Sequence, residues 1–184
     1  MNYADIKNFD AANGPGIRVS LFVSGCTHAC KGCFNEEAWD FNYGNPYTDA
    51  EIDKIIEWLK PKHITGFTVL GGEPLHPNNQ EWVCKTLRRI REVYGQSKNL
   101  WLFTGYLFDD DVMGWMVPSL PYTREILSYL DVIMDGPYIE EQKDLGAYFR
   151  GSSNQRAIAV PESLAAENIV LWEPEKPKYI YSPT

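Results

Sequence analysis

IRVSLFVSGCTHACKGCFNE, residues 17–36, places a run of apolar and β-branched residues directly in front of three cysteines, Cys26, Cys30 and Cys33. The run 17–23 reads as a strand. The groups able to do chemistry therefore begin just past a strand's C-terminal end. Three thiols within eight positions, with no fourth nearby, leave a site that wants four ligands one short.

The same arrangement recurs along the chain. TGFTVL (65–70) reads as a strand followed by Gly71, Gly72 and Glu73; NLWLFT (99–104) ends on Thr104, and DVIMD (131–135) on Asp135. Helical patterns lie between them. Thr48 and Glu51 have capping-box spacing, and Ile52, Ile55, Ile56 and Leu59 then fall on one helical face ended by Pro61. A helix from about 79 to 94 carries Val83, Leu87, Ile90 and Tyr94 on one stripe, a weaker helical region covers 106–116, and a short helix covers 122–130. Strands alternating with helices predict an α/β fold with a mainly parallel sheet, and the C-terminal strand edge is where such sheets build sites. The four groups are expected to converge. RAIAV (156–160) and NIVLW (168–172) are read as further strands.

At 184 residues the chain suits one domain, taken as 1–172, followed by a proline-rich tail, 173–184, in which Tyr179, Ile180 and Tyr181 are the apolar residues. No apolar run approaches the ~20 residues of a membrane-spanning helix. The start, MNYADIKNFD, lacks an apolar segment behind a basic one, so a cytoplasmic location is expected, where thiols stay reduced and crowded cysteines are read as metal ligands. A net charge of −8 argues against a nucleic-acid partner. Lys85, Arg88, Arg89 and Arg91 are read as a solvated helix face.

Three sites fit the cysteine loop. Zinc would take His28 as a fourth ligand, although all donors then sit on one loop instead of on paired knuckles. A closed iron–sulfur cluster would need Cys84, 51 positions beyond Cys33 and near a helix's apolar stripe, where a packed thiol is the simpler reading. An open cluster would hold three irons by cysteine and leave the fourth to a small molecule. GGEP (71–74) has its own logic: two glycines permit close backbone approach, Glu73 offers an acceptor that fits an ammonium group, and Pro74 stops the strand. RGSSNQR (150–156) offers Arg150, Ser152, Ser153, Asn154 and Gln155 as donors for a carboxylate or an extended backbone. It precedes a strand, so either that strand is antiparallel or the loop returns to the site.

CTHACKGC, with Phe34 after the third cysteine, resembles the Cys-x₃-Cys-x₂-Cys loop of the radical S-adenosylmethionine enzymes, and GGEP strengthens the match. The resemblance implies a 4Fe-4S cluster on Cys26, Cys30 and Cys33. It also implies S-adenosyl-L-methionine on the fourth iron, with its amino group at Gly71, Gly72 and Glu73. GPGIR (14–18), FTGY (103–106), MDGPY (134–138) and RGSSNQR are together similar to the activating enzymes of glycyl radical proteins, most closely those serving anaerobic ribonucleoside-triphosphate reductase, from about residue 5 to residue 158. By that resemblance Thr104 and Asp135 lie near the methionine or ribose portion. The implied fold is an incomplete parallel TIM-like barrel, smaller than the ~250 residues of a full one and open on one side to admit a protein partner's loop. The implied reaction is reductive cleavage of S-adenosylmethionine to methionine and a 5′-deoxyadenosyl radical that removes a glycine Cα hydrogen. The reductase is then the protein substrate, and a flavodoxin or ferredoxin the one-electron donor. The alternatives are another glycyl radical enzyme as substrate, or a small-molecule reaction such as that of a 7-carboxy-7-deazaguanine synthase. No Ser/His/Asp or paired-carboxylate constellation is present, as fits chemistry carried by a cofactor.

Overall fold

The computed structural model describes residues 1–144 and 146–174. Its strands are β1 (Asn2–Asp10), β2 (Ile17–Val23), β3 (Asn45–Pro46), β4 (Ile64–Gly71), β5 (Asn99–Phe103), β6 (Val132–Asp135) and β7 (Arg156–Ala159). They form one sheet in the order β3-β1-β2-β4-β5-β6-β7. β2, β4, β5 and β6 are parallel, with Val19 beside Phe67 and Leu21 beside Val69. These inner strands are buried along most of their length, the pattern of strands covered on both faces.

The flanks differ from the parallel expectation. β1 runs antiparallel to β2, β3 antiparallel to β1, and β7 antiparallel to β6, so the sheet is mixed and not closed. An antiparallel last strand is one of the two arrangements expected from RGSSNQR. β1 and β3 escape a sequence reading because their residues are mostly half-buried or exposed, without the apolar run that marks the inner strands. NIVLW forms no strand; only Leu171 bridges to Ile158, and Pro161 opens a helix directly after β7. The tail expected from residue 173 lies, from 175 onward, outside the described residues.

The helices are α1 (Asp49–Leu59), α2 (Pro77–Tyr94), a wide-turned π-helix (Phe108–Met116) running into the single turn α3 (Val117–Ser119), α4 (Thr123–Tyr129) and α5 (Val160–Ala166). α1 begins with the expected capping box: Thr48 accepts from Ala50 N, and Glu51 accepts from Thr48 N at 2.8 Å. Thr48→Ala removes one side of that box, so unfolding in urea should show a loss of about 1 kcal/mol with the slope unchanged.

Ile55, Leu59, Val83, Leu87 and Ile90 pack on Val19, Leu21, Phe67, Val69, Leu100 and Leu102 in the main core, between helices and sheet. At roughly 1.5–3 kcal/mol per fully buried side chain, this face is the principal source of stability. The opposite face carries a smaller cluster in which the Trp101 ring meets Trp172 at 4.8 Å and Phe149 at 5.5 Å, both edge-on. Beside it the buried Arg18 donates to Thr68 Oγ1 at 2.7 Å and to the carbonyls of Phe67, Pro15 and Asn99, which meets the cost of burying a guanidinium.

The basic cluster on α2 is paired. Lys85 meets Asp49, Arg88 meets Glu125 and Arg89 meets Glu92. Arg91 departs from the solvated-face expectation: its side chain is 11% exposed and ties α2 to the start of β6 through Asp131 and the carbonyls of Tyr129 and Lys98.

Candidate metal and cofactor centre

The loop after β2 is pinned where it leaves the sheet. Gly25 N donates to Ala38 O at 2.7 Å and Cys26 N to Trp39 O at 3.1 Å, while Gly72 N and Glu73 N reach back to Val23 O and Gly25 O at 2.7 and 2.9 Å. The cysteine loop and the Gly71–Glu73 turn are therefore one backbone-bonded unit. Both glycines are required sterically. Gly71 has φ 108°, and a Cβ there would lie 2.7 Å from Val23 N and O; a Cβ on Gly72 would lie 2.7 Å from Gly25 O. Backbone cannot yield as a flexible side chain does, so Gly71→Ala should lower stability by about 1–3 kcal/mol and impair cluster uptake, read by thermal melting and by iron content after reconstitution.

Cys26, Cys30, Cys33, the Gly71–Glu73 turn and Thr104 line one cavity of about 130 Å³. A larger groove of about 460 Å³ shares Cys33, Phe34, Leu70, Phe103, Tyr138 and Gln155 with it. Three of the four groups expected at the strand ends thus meet.

Glu73 is fully buried and its carboxylate accepts four hydrogen bonds, each 2.8 Å long. Oε1 takes Leu75 N and Thr104 Oγ1; Oε2 takes Gly105 N and His28 Nε2. The free acceptor expected for an ammonium group is therefore occupied by the protein itself. Against a carboxylate the imidazole nitrogen is the donor, so His28 Nε2 serves Glu73. Burial favours the neutral ring, but the bond to Glu73 and its charge outweigh this and leave the His28 pKa above its ordinary value. Asn79, also buried and unanticipated, donates from Nδ2 to Ser24 O and Glu73 O at 3.1 and 2.9 Å, clamping the two segments together.

With His28 and Glu73 committed to each other, the thiols remain as the soft donors at the cavity. Burial pushes the Cys26 thiol up to about 11 and raises Cys30 as well. A thiolate there calls for nearby positive charge, which iron provides. Among the described residues no three or more His, Cys, Asp or Glu side chains gather as around a single metal ion. A cube of four irons instead takes each thiolate at a separate corner, so three partly exposed thiols around one cavity fit a cluster. Cys84 is buried in the helix-side core, 3.8 Å from Arg88 Nη2, and does not line the cavity.

The remaining expected residues are placed otherwise. Asp135 does not line the cavity; it is buried and accepts from Phe108 N at 2.8 Å and from Arg156, which also pairs with Asp109. Ser152 is buried and accepts from Ile139 N, while Asn154 donates to Pro137 O at 2.8 Å, so both shape the loop after β6. Arg150 lines the larger groove. Gln155 reaches both cavities, its side chain bonded to Gly151 N and Gly136 O.

A family model described as "4Fe-4S single cluster domain" matches residues 12–158. The anaerobic ribonucleoside-triphosphate reductase-activating protein of Vibrio cholerae is 41% identical over 160 residues, covering 84% of this chain and 96% of that protein. Those of Haemophilus influenzae and Escherichia coli are 41% and 40% identical over 157 and 158 residues, with the same coverage of both chains. Sharing about two residues in five with these proteins along nearly their whole length, and carrying its three clustered cysteines within the segment matched by the cluster-domain model, the chain belongs to the family of anaerobic ribonucleoside-triphosphate reductase-activating proteins.

Proposed function

We propose that Cys26, Cys30 and Cys33 are the protein ligands of the 4Fe-4S cluster in this radical S-adenosylmethionine enzyme, and that the Gly71–Glu73 turn seats the methionine end of S-adenosyl-L-methionine. The enzyme's activity is to generate a glycyl radical on anaerobic ribonucleoside-triphosphate reductase. When bound, the cluster and the nucleotide supply one-electron reductive cleavage and hydrogen abstraction from a glycine. The protein's part is to hold and orient. Gly71 and Gly72 bring backbone to the cavity wall, Thr104 fixes the Glu73 carboxylate, and Leu70 and Phe103 give the cavity apolar sides.

The observation that carries this reading is the meeting, at one cavity, of three cysteines from one loop with a turn that has no side chain at two successive positions. Asp135, Ser152 and Asn154 act by shaping the adjoining loop, and Arg150 by lining the groove through which a partner segment reaches the centre. The open sheet is read as the incomplete barrel of the radical S-adenosylmethionine type, its free side facing the reductase. Residues 1–172 form the domain, residues 173–184 its tail, and a flavodoxin or ferredoxin in the cytoplasm delivers the electron. No helix among the described residues is long and apolar enough to cross a membrane.

The test is anaerobic reconstitution with iron and sulfide, reduction, and incubation with S-adenosylmethionine and the reductase. A glycyl doublet in the electron paramagnetic resonance spectrum, with 5′-deoxyadenosine formed, is expected. Cleavage without a doublet would assign the chain to a different substrate, and a colourless, inactive protein would end the reading.

A further inference from the structure

We propose that His28 is a positioning residue: by donating to Glu73 it fixes the cysteine loop over the Gly71–Glu73 turn, and so sets the pocket in which the nucleotide meets the cluster. This rests on the reading that the loop holds a cluster. His28 lies between Cys26 and Cys30, and its Nε2 is 2.8 Å from Glu73 Oε2, with the two side chains 19% and 1% exposed. The same carboxylate holds Leu75 N after the turn and both Thr104 and Gly105 after β5. One buried group thereby gathers three strand ends.

Besides Glu73, the imidazole is held from two further sides. The Tyr106 ring meets it edge-on at 4.5 Å, and a Cβ on Gly105 would lie 2.5 Å from ring Cδ2, so the backbone there passes directly against the ring. Its neighbour Ala29 sits at φ 49°, a left-handed conformation that costs a non-glycine residue roughly 1 kcal/mol and persists only where surrounding contacts impose it. Between Cys26 and Cys33 the loop's own backbone bonding includes the 3.1 Å turn from Cys33 N to Cys30 O. The tie from His28 to Glu73 joins the middle of the loop to the sheet at a buried carboxylate, whereas the Lys31 pairs with Glu140 and Glu141 lie at the surface. A hydrogen bond to a buried charged group contributes substantially, and leaving a carboxylate lone pair unmatched costs more.

The test compares His28→Ala, His28→Gln and Thr104→Val with wild type after anaerobic reconstitution. Iron is counted, and S-adenosylmethionine is titrated against the electron paramagnetic resonance signal of the reduced cluster. His28→Ala is expected to retain the iron but bind the nucleotide about tenfold more weakly. His28→Gln, whose amide nitrogen reaches a similar position, should return to within about threefold of wild type. Thr104→Val removes a different donor from the same carboxylate, and the acceptor for Tyr106 N, without altering a loop residue, and should weaken binding in the same direction. Loss of iron from His28→Ala would make the contact a requirement for holding the cluster instead of a setter of the nucleotide pocket, and would overturn the proposal. Wild-type affinity in His28→Ala, failure of His28→Gln to recover, or an unaffected Thr104→Val beside a weakened His28→Ala would each overturn the proposal. A wild-type protein that takes up no cluster or shows no response to S-adenosylmethionine would instead defeat the functional reading beneath it.

Discussion

Cys33→Ala is expected to leave a reconstituted protein without an intact four-iron cluster and to reduce 5′-deoxyadenosine formation to background. The three thiols share one short loop, and with His28 and Glu73 bonded to each other no further thiol among the described residues lines the cavity to replace a missing one. Cys84→Ala provides the contrast. That thiol lies in the helix-side core away from the cavity, so its removal should preserve both cluster and cleavage at a small packing cost. Iron and sulfide analysis of the two variants, with product chromatography, checks both statements. A cluster lost with Cys84 would make the site a closed electron carrier.

Arg156→Ala should be the most destabilising single change at the rim of the centre, by about 3–5 kcal/mol, because it strands a fully buried carboxylate. Arg156 Nε lies 3.0 Å from Asp135 Oδ1 and Nη2 grips Oδ2, a two-armed pairing that Arg156→Lys can restore only in part. Guanidinium-induced unfolding gives the size of the effect. Asp135→Asn separates the two roles considered for this aspartate. If it acts through Arg156 and Phe108 N, the variant loses stability while nucleotide affinity changes little; if it touches the nucleotide, affinity falls with stability nearly intact.

Much of the centre is legible in the sequence because its chemistry is local. The three cysteines, the double glycine and the strand before each are contiguous segments, and parallel strands bring their C-terminal ends to one edge whatever the connecting helices contain. The capping box of α1 and the apolar stripe of α2 are local in the same sense. What escaped depends on partners distant in the chain. β1 pairs through backbone groups, and its half-exposed side chains carry no apolar pattern. Asp135 reads as a strand-end acceptor at the site, yet β7 runs antiparallel beside β6 and delivers Arg156 to it. Asn79 resembles any polar residue in a helix's first turn until Ser24 and Glu73 are seen within its reach.

Sequence by itself determined that this chain places three thiols and a side-chain-free turn after successive parallel strands, since ligand spacing and glycine's conformational freedom are properties of adjacent residues. Only the tertiary structure decided what Glu73 does. A carboxylate's role depends on which donors surround it in a dry interior, and here those donors come from residues 28, 75, 104 and 105, which only the folded sheet brings together.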